Sequence, residues 1–344
     1  MPTYSEIVSR YLNRQTGRFL ALEDGIEDRI RNILRMATAE IDSLVATHAG
    51  DEDTYIARLR ALRNGMTRLF REVSDAEAIA IQNGLQQVAV FGVEQSAEAA
   101  RRAAEQLGIS IDATPDTIQI SQDVLRVMAE FPLGGAPLSD RLWQTNNQTM
   151  GAVMRTIQQG VLLGRPTERT ARLIRDSLID PTGSAREKGT IAALRTRARN
   201  ARVAGETERA NRLFARARVR ERQLPDTGKG IYRSAHANAM REVRSETVRT
   251  YQEAAFRYGQ RKGWVVGYYW YPNPEACPIC VALEGYYKKG AAPSFPHAHC
   301  GCRIEQVADP EITGQPDPVW RDVPAGVTGL AAREYWTNRA RNAA

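Results

Sequence analysis

The fragments "CPIC" at 277–280 and "HAHCGC" at 297–302 hold every cysteine of this 344-residue chain and two of its four histidines. Thiolates and imidazole at C-x2-C and H-x2-C-x-C spacing suit a borderline-soft cation with a tetrahedral shell, and zinc is the expected occupant. Cys277, Cys280, His297, Cys300 and Cys302 are five candidate ligands for four places, with His299 ranking below them. The shell is either three cysteines and a histidine with one thiol spare, or all four cysteines with His297 hydrogen-bonded to a sulfur. Arg303 is expected to offset the negative charge of several thiolates. A shell closed by protein ligands makes the metal structural, because catalytic zinc keeps one position for water.

Two other uses of the thiols fit less well. Disulfides suit exported chains, and the start "MPTYSEIVSR" has neither the basic flank nor the apolar centre of a signal peptide, which points to a cytoplasm at synthesis. A redox C-x-x-C site belongs to alternating strands and helices, and no such alternation is legible here. Catalytic constellations are missing too. No H-x-E precedes the P-C-x-x-C pair as in zinc deaminases, and there is no H-E-x-x-H, phosphate-binding loop or G-x-S-x-G. His236, in "SAHANAM", has no second histidine one helical turn away and reads as a packed residue. No catalytic residue and no small-molecule substrate are therefore expected, and the chain reads as a non-enzyme.

The elements that must position the cysteines are mostly helical. From Ser5 to about Leu107 two apolar stripes recur at helical spacing: Ile26, Ile30, Ile33, Leu34, Ile41, Leu44 and Val45, then Ile56, Leu59, Met66, Leu69, Phe70 and Val73. Between them Gly50 is the expected helix stop, and Asp51 or Asp53 the next N-cap. Gly108 closes a helix and Pro115 is expected to open another. After a Pro/Gly linker at 130–140, Leu142, Met150, Val153, Met154, Ile157, Val161 and Leu162 mark a helix ending at Gly164, and Thr167 caps its successor. The last long helix runs from Ile231 to about Arg261. "WVVGYYWYPNP" at 264–274 then reads as a strand or hairpin arm whose Trp264, Tyr268, Tyr269, Trp270 and Tyr271 serve strand packing rather than base stacking. Residues 264–308 alone bury too little apolar surface for a stable core, and a metal is expected to supply it.

The expected fold is thus mainly α: helical N-terminal and central regions with a small C-terminal α+β zinc-stabilised module. The expected division is an N-terminal helical domain (1–110), a central helical domain (111–263) with an Arg-rich insertion (186–222), the zinc module (264–308), and a tail with a short helix (309–344). No apolar run is long enough for a membrane span.

The formal net charge of +7 is concentrated: residues 186–222 carry twelve Arg or Lys against four Glu. Such a block is either a surface for nucleic acid or another acidic partner, or a solvated helical face. Its candidate phosphate contacts are Arg195, Arg197, Arg199, Arg202, Arg212, Arg216, Arg218 and Arg220.

The stretch "REVRSETVRTYQEAAFRYGQRKG", followed by an aromatic strand, "CPICVALEGYY" and "PHAHCGCRI", resembles the C-terminal part of phage head morphogenesis proteins, the minor capsid proteins similar to the Mu F protein. Arg244, Glu246 and Thr247 match that family's Arg-x-Glu-Thr helix. Cys277, Pro278, Cys280, Leu283 and Gly285 match its first knuckle, and His297, Cys300 and Cys302 its second. The resemblance spans about 131–308; the basic block looks like an insertion, and the first hundred residues lie outside it. "YPNPEA" replaces the family's Asp-x-x-Thr, Ala298 its Pro and Gly301 its Arg. The resemblance implies a virion assembly protein at the portal vertex or capsid interior. Its implied partners are the portal or major capsid protein, with the host cytoplasm as the place of assembly; the Arg-rich block adds double-stranded DNA, bound non-specifically, as an expected partner. The alternatives are a phage-encoded DNA-acting enzyme, a nuclease or transferase, and a regulatory zinc-ribbon DNA-binding protein.

Overall fold

The structure is a computed structural model that describes residues 2–47, 55–162, 174, 177–179, 182–223, 234–273, 276–293, 295–297, 300–324, 327 and 329–343. Helix α1 spans Tyr4–Thr47 and α2 spans Tyr55–Leu107. The apolar stripes direct them: Ile26, Ile30, Leu34 and Ile41 of α1 and Met66, Phe70 and Val73 of α2 are buried, each series returning every three or four residues. The second half of α2 changes character. Ala97, Ala99, Ala100, Ala103 and Ala104 are all buried, so small side chains there let neighbouring helices come close.

Gly108, at φ 67°, ends α2 in the left-handed conformation that a C-terminal glycine supplies without strain. Helix α3 follows at Thr117–Glu130, and its cap is Asp116, whose side chain accepts from the Gln119 N–H. The expectation that Pro115 opens this helix is corrected: the carboxylate that satisfies a free backbone N–H sets the start, one residue further on. Among the described residues, helices α4 (Leu138–Leu162), α5 (Thr182–Val203), α6 (Thr207–Gln223) and α7 (Ala235–Gln260) follow. The expected stops and caps at Gly50, Asp51, Asp53, Gly164 and Thr167 lie outside the described residues.

Four strands follow α7: β1 (Val265–Tyr271), β2 (Gly285–Lys288), β3 (Arg303–Ala308) and β4 (Trp320–Arg321), in the order β3-β1-β2-β4. Strand β1 pairs antiparallel with both β2 and β3, and β4 joins β2 in parallel. A short helix α8 (Pro278–Ala282) lies between β1 and β2, α9 (Pro310–Thr313) follows β3, and α10 (Gly329–Ala343) ends the chain. The alternation of the pleat divides the aromatic run. Tyr268 and Trp270 point into the core, whereas Tyr269 and Tyr271 take the opposite, half-exposed face, with Tyr269 4.6 Å from the ring of Tyr286. Gly267 is required on that second face: a Cβ there would stand 2.3 Å from the Trp320 ring and 2.4 Å from the Tyr287 carbonyl oxygen.

The fold is mainly α with a small C-terminal α+β part, as the sequence predicts. It divides into two compact units, each assembled from separated stretches: 1–24, 83–133 and 243–344 in the first, and 25–82 and 134–242 in the second. The expected division into 1–110, 111–263, 264–308 and 309–344 is contiguous, and the units are not. In the first unit the inner face of the sheet shares a core with helices. Tyr268, Trp270, Tyr287 and Ile304 belong to one apolar cluster with Tyr4, Ile7 and Val8 of α1, Ala100 of α2, Val124 of α3 and Phe256 of α7. Residues 264–308 therefore do not rely on a metal for their only core.

The second unit contains the Arg-rich block, folded as a helical hairpin of α5 and α6 that turns at Gly205, φ 81°. Its seam packs Ile191 and Leu194 against Ala217 and the partly buried Leu213, and Ala198, Ala201, Ala210 and Phe214 are also buried. The same unit holds polar groups in its interior. Glu77 is fully buried and accepts from Asn146 Nδ2 at 2.8 Å, and that amide also reaches Ser74 Oγ at 3.0 Å.

Candidate metal centre

Strand β1 delivers the chain to the first knuckle. Ala276 N–H donates to the Asn273 carbonyl at 2.8 Å, and Cys277, in extended conformation, precedes Pro278 at the first position of α8. Proline suits that position because its missing N–H has no acceptor there. One turn of α8 then brings Cys280 to the side of Cys277, and Leu283, fully buried, anchors the end of the turn. The second knuckle closes with Cys300 N–H donating to the His297 carbonyl at 3.3 Å, and it runs into β3 directly after Cys302.

All five expected ligands come together. His297 Nε2 is 3.0 Å from Cys277 Sγ and 3.1 Å from Cys280 Sγ, and Cys280 Sγ is 3.6 Å from Cys300 Sγ. Cys277, Cys280 and His297 form one group of donor atoms within 4.8 Å of one another, and Cys280, Cys300 and Cys302 form another. Cys280 belongs to both. No further such group of His, Cys, Asp or Glu is present among the described residues. Cys280, Cys300 and Cys302 are 1%, 2% and 3% exposed, inside the same apolar cluster as Trp270, Tyr287 and Phe295. His299, the lower-ranked candidate, lies outside the described residues.

The electrostatics of this cluster suit a cation. Hydrogen bonding from Cys280, and then from Cys300, holds the Cys302 thiol down to about 3 against the effect of burial, and the Asn273 N–H adds to this, 3.3 Å from the sulfur. The same sulfur contacts, Cys300 before Cys302, push the Cys280 thiol far up. Three buried sulfurs this close cannot all carry charge unless a positive ion sits among them. The donor set and its burial fit a thiophilic metal ion held by four of the five groups.

Neighbouring groups fix the backbone of the site. Gln252 on α7 donates from Nε2 to the Cys302 carbonyl at 2.6 Å. Arg303, expected to balance the thiolates, is engaged elsewhere: its guanidinium bonds Glu305 at 2.6 Å, Asn13 and Ser9 at 2.9 Å each, and stacks over Tyr271. The pleat explains the correction, since the Arg303 side chain takes the same face as Glu305 and Tyr271, where a buried carboxylate competes for it. The sequence motif Arg244, Glu246, Thr247 divides in the same way. Arg244 is exposed, Glu246 is buried with Arg249 at 3.6 Å, and Thr247 donates to Glu23 at 2.8 Å. His236 is buried and faces Glu27 at 3.4 Å, as a packed histidine rather than part of a donor cluster.

The candidate phosphate contacts form a graded set. Arg197, Arg202, Arg212, Arg216 and Arg218 are exposed on the hairpin, with Arg212 beside Glu208 at 3.5 Å. Arg195 and Arg199 are half-buried and hold partners of their own, and the Arg220 side chain lies outside the described residues. The sequence reading missed Arg209, exposed on the same hairpin and paired with Glu206 at 2.7 Å. Its spacing from Arg212 and Arg216, three and then four residues, was the available signal. No helix among the described residues is long and apolar enough to cross a membrane.

No family model matches the chain, and no curated protein or solved structure matches it either.

Proposed function

We propose that this chain is a virion assembly protein of the phage head morphogenesis type, carrying one structural Zn²⁺ in its Cys/His cluster and an arginine-rich hairpin for packaged DNA. The observation that carries the reading is the convergence of Cys277, Cys280, His297, Cys300 and Cys302 on one buried point. That is the donor pattern on which the family resemblance rests. Four of these groups would close a tetrahedral shell, and the ion would neutralise the thiolates and lock α8 to the start of β3. The surrounding chain supports an inert role for the ion. Three of the four sulfurs are nearly sealed from solvent, which leaves little room for an attacking water. In this reading the protein works at the portal vertex or capsid interior, against the portal or major capsid protein, after assembly in the host cytoplasm.

The hairpin supplies the second half of the reading. Arg209, Arg212 and Arg216 lie along one edge of α6, with Arg218 exposed on the other side and Arg197 and Arg202 exposed on α5. Exposed pairs such as Arg209–Glu206 contribute little to stability, so these arginines can turn to phosphates at small cost. Such binding is independent of sequence and releases counterions, with a log–log salt slope on the order of −4 to −5 for about five contacts.

The test uses the full-length chain purified without chelator, together with virion fractions. About one zinc per chain, co-purification with portal, and DNA retention that falls steeply with salt and is lost on deletion of 186–222 are expected. A well-folded protein free of transition metal overturns the zinc assignment. Retention indifferent to both salt and the deletion overturns the DNA role, and absence from virions overturns the assembly role.

A further inference from the structure

We propose that the C-terminal helix α10 is the clamp that brings His297 into the metal shell, with Arg341 as the positioning residue. Five donors compete for four places, so whatever fixes the loop carrying His297 decides the ligand set. That loop, between β2 and β3, holds Pro293 and Pro296, which have no N–H to offer a backbone ladder. Its carbonyls are the available handles, and α10 takes two of them. Arg341 donates from Nε to the Pro296 carbonyl at 2.9 Å and from Nη2 to the same oxygen, one residue before His297. Arg333, two turns earlier, donates from Nε to the Ala292 carbonyl at 3.2 Å.

The clamp is itself anchored. Arg333 Nη1 bonds Glu253 Oε2 on α7 at 2.8 Å, and its guanidinium lies 3.8 Å from the centre of the Phe256 ring. Helix α10 also packs against α8, the helix that carries Cys280, and Trp336 meets the Tyr287 ring edge-on at 5.8 Å. One helix therefore braces both sides of the contact between His297 Nε2 and the sulfurs of Cys277 and Cys280. When the grip on Pro296 is released, Cys277, Cys280, Cys300 and Cys302 remain as an all-sulfur set, and the metal shell changes composition without losing the ion. This rests on the metal reading above and is independent of the virion and DNA roles.

Cobalt(II) is the probe, because its visible ligand-field and sulfur charge-transfer bands distinguish a three-sulfur, one-nitrogen shell from a four-sulfur shell. The full-length wild type is expected to give the mixed spectrum. Arg341→Ala is expected to move to the all-sulfur spectrum given by His297→Ala, at unchanged stoichiometry. Metal affinity against a competing chelator is expected to fall about tenfold, in the range found when a ligand's supporting group is removed. Truncation after Asn338 is the second variant: it removes Arg341 and keeps Arg333 and Trp336. An Arg341→Ala or truncated protein with the spectrum and affinity of the wild type overturns the clamp, as does an all-sulfur spectrum for the wild type. A wild type that binds no cobalt overturns the metal reading and the clamp together.

Discussion

His297 Nε2 lies 3.1 Å from Cys280 Sγ, across a separation of 17 residues. Cys280 also stands against Cys300 at 3.6 Å, so it is the donor shared by the two halves of the cluster. Its loss should therefore be the most damaging of the five. Cys280→Ser is expected to abolish stoichiometric metal retention, whereas Cys277→Ser, at the half-buried rim, retains metal with reduced affinity. Metal analysis after dialysis against a weak chelator separates the two. Equal behaviour of the variants would argue against a shared central donor.

Chelation itself should have a local effect. Free zinc-finger peptides lose their whole fold without metal, at an apparent cost of roughly 10–16 kcal/mol. Here Trp270, Tyr287 and Ile304 share a core with α1, α2, α3 and α7. Removing the metal is expected to weaken the near-ultraviolet aromatic dichroism of the sheet and lower the melting temperature while most far-ultraviolet helical signal persists. Loss of the helical signal at room temperature would show that the ion holds more of the chain than the sheet.

At Gly267 the prediction is steric. Trp320 and the Tyr287 carbonyl occupy the space of any side chain there. Gly267→Val is expected to displace Trp320 and detach β4, at a cost on the order of 1–3 kcal/mol for forced overpacking. Denaturant unfolding measures the loss, and quenching of Trp320 fluorescence by iodide reports the displacement.

Buried Glu77 makes the second unit sensitive to base. Burial pushes its carboxyl up to about 8 from 4.5, opposed by the hydrogen bond from Asn146. A raised folded value means that the neutral acid fits the interior: its contribution is complete below about 4.5 and is lost as pH rises through 8. Glu77→Gln is therefore expected to gain stability relative to the wild type as pH rises from 4.5 to 8, by up to a few kcal/mol. Urea unfolding at the two pH values reads the difference, and a pH-independent difference would count against a protonated Glu77.

Glu27 works in the opposite direction. The approach of His236 at 3.4 Å, and after it the hydrogen bonds from Arg31, hold its carboxyl down to about 2 against the effect of burial. A depressed folded value gives stabilisation that is complete above about 4.5 and is lost as pH falls toward 2. Glu27→Gln should lower stability at pH 6 and flatten the acid limb of the stability profile. An acid limb unchanged by the substitution would remove Glu27 from the account.

Local chemistry was legible in the residues alone. Side-chain periodicity placed the stripes of Ile26 to Ile41 and Met66 to Val73 on buried helix faces, because a helix repeats every 3.6 residues whatever surrounds it. Donor type and spacing picked out the five clustered donors, because C-x2-C and H-x2-C-x-C each fold back within a turn. The split of Tyr268 and Trp270 from Tyr269 and Tyr271 follows the two-residue pleat once a strand is assumed.

Tertiary structure decided whatever depends on distant partners. Arg303 follows Cys302 in the chain, yet Glu305, Ser9 and Asn13 claim its guanidinium, and Ser9 and Asn13 are nearly 300 residues away. Glu77 carries no local sign that Asn146 will meet it in the interior. The parallel pairing of β4, the shared core beneath the sheet and the grip of Arg341 on Pro296 depend on where separate segments pack. Propensity acts over a few residues, whereas burial and competition for hydrogen bonds act across the whole folded chain.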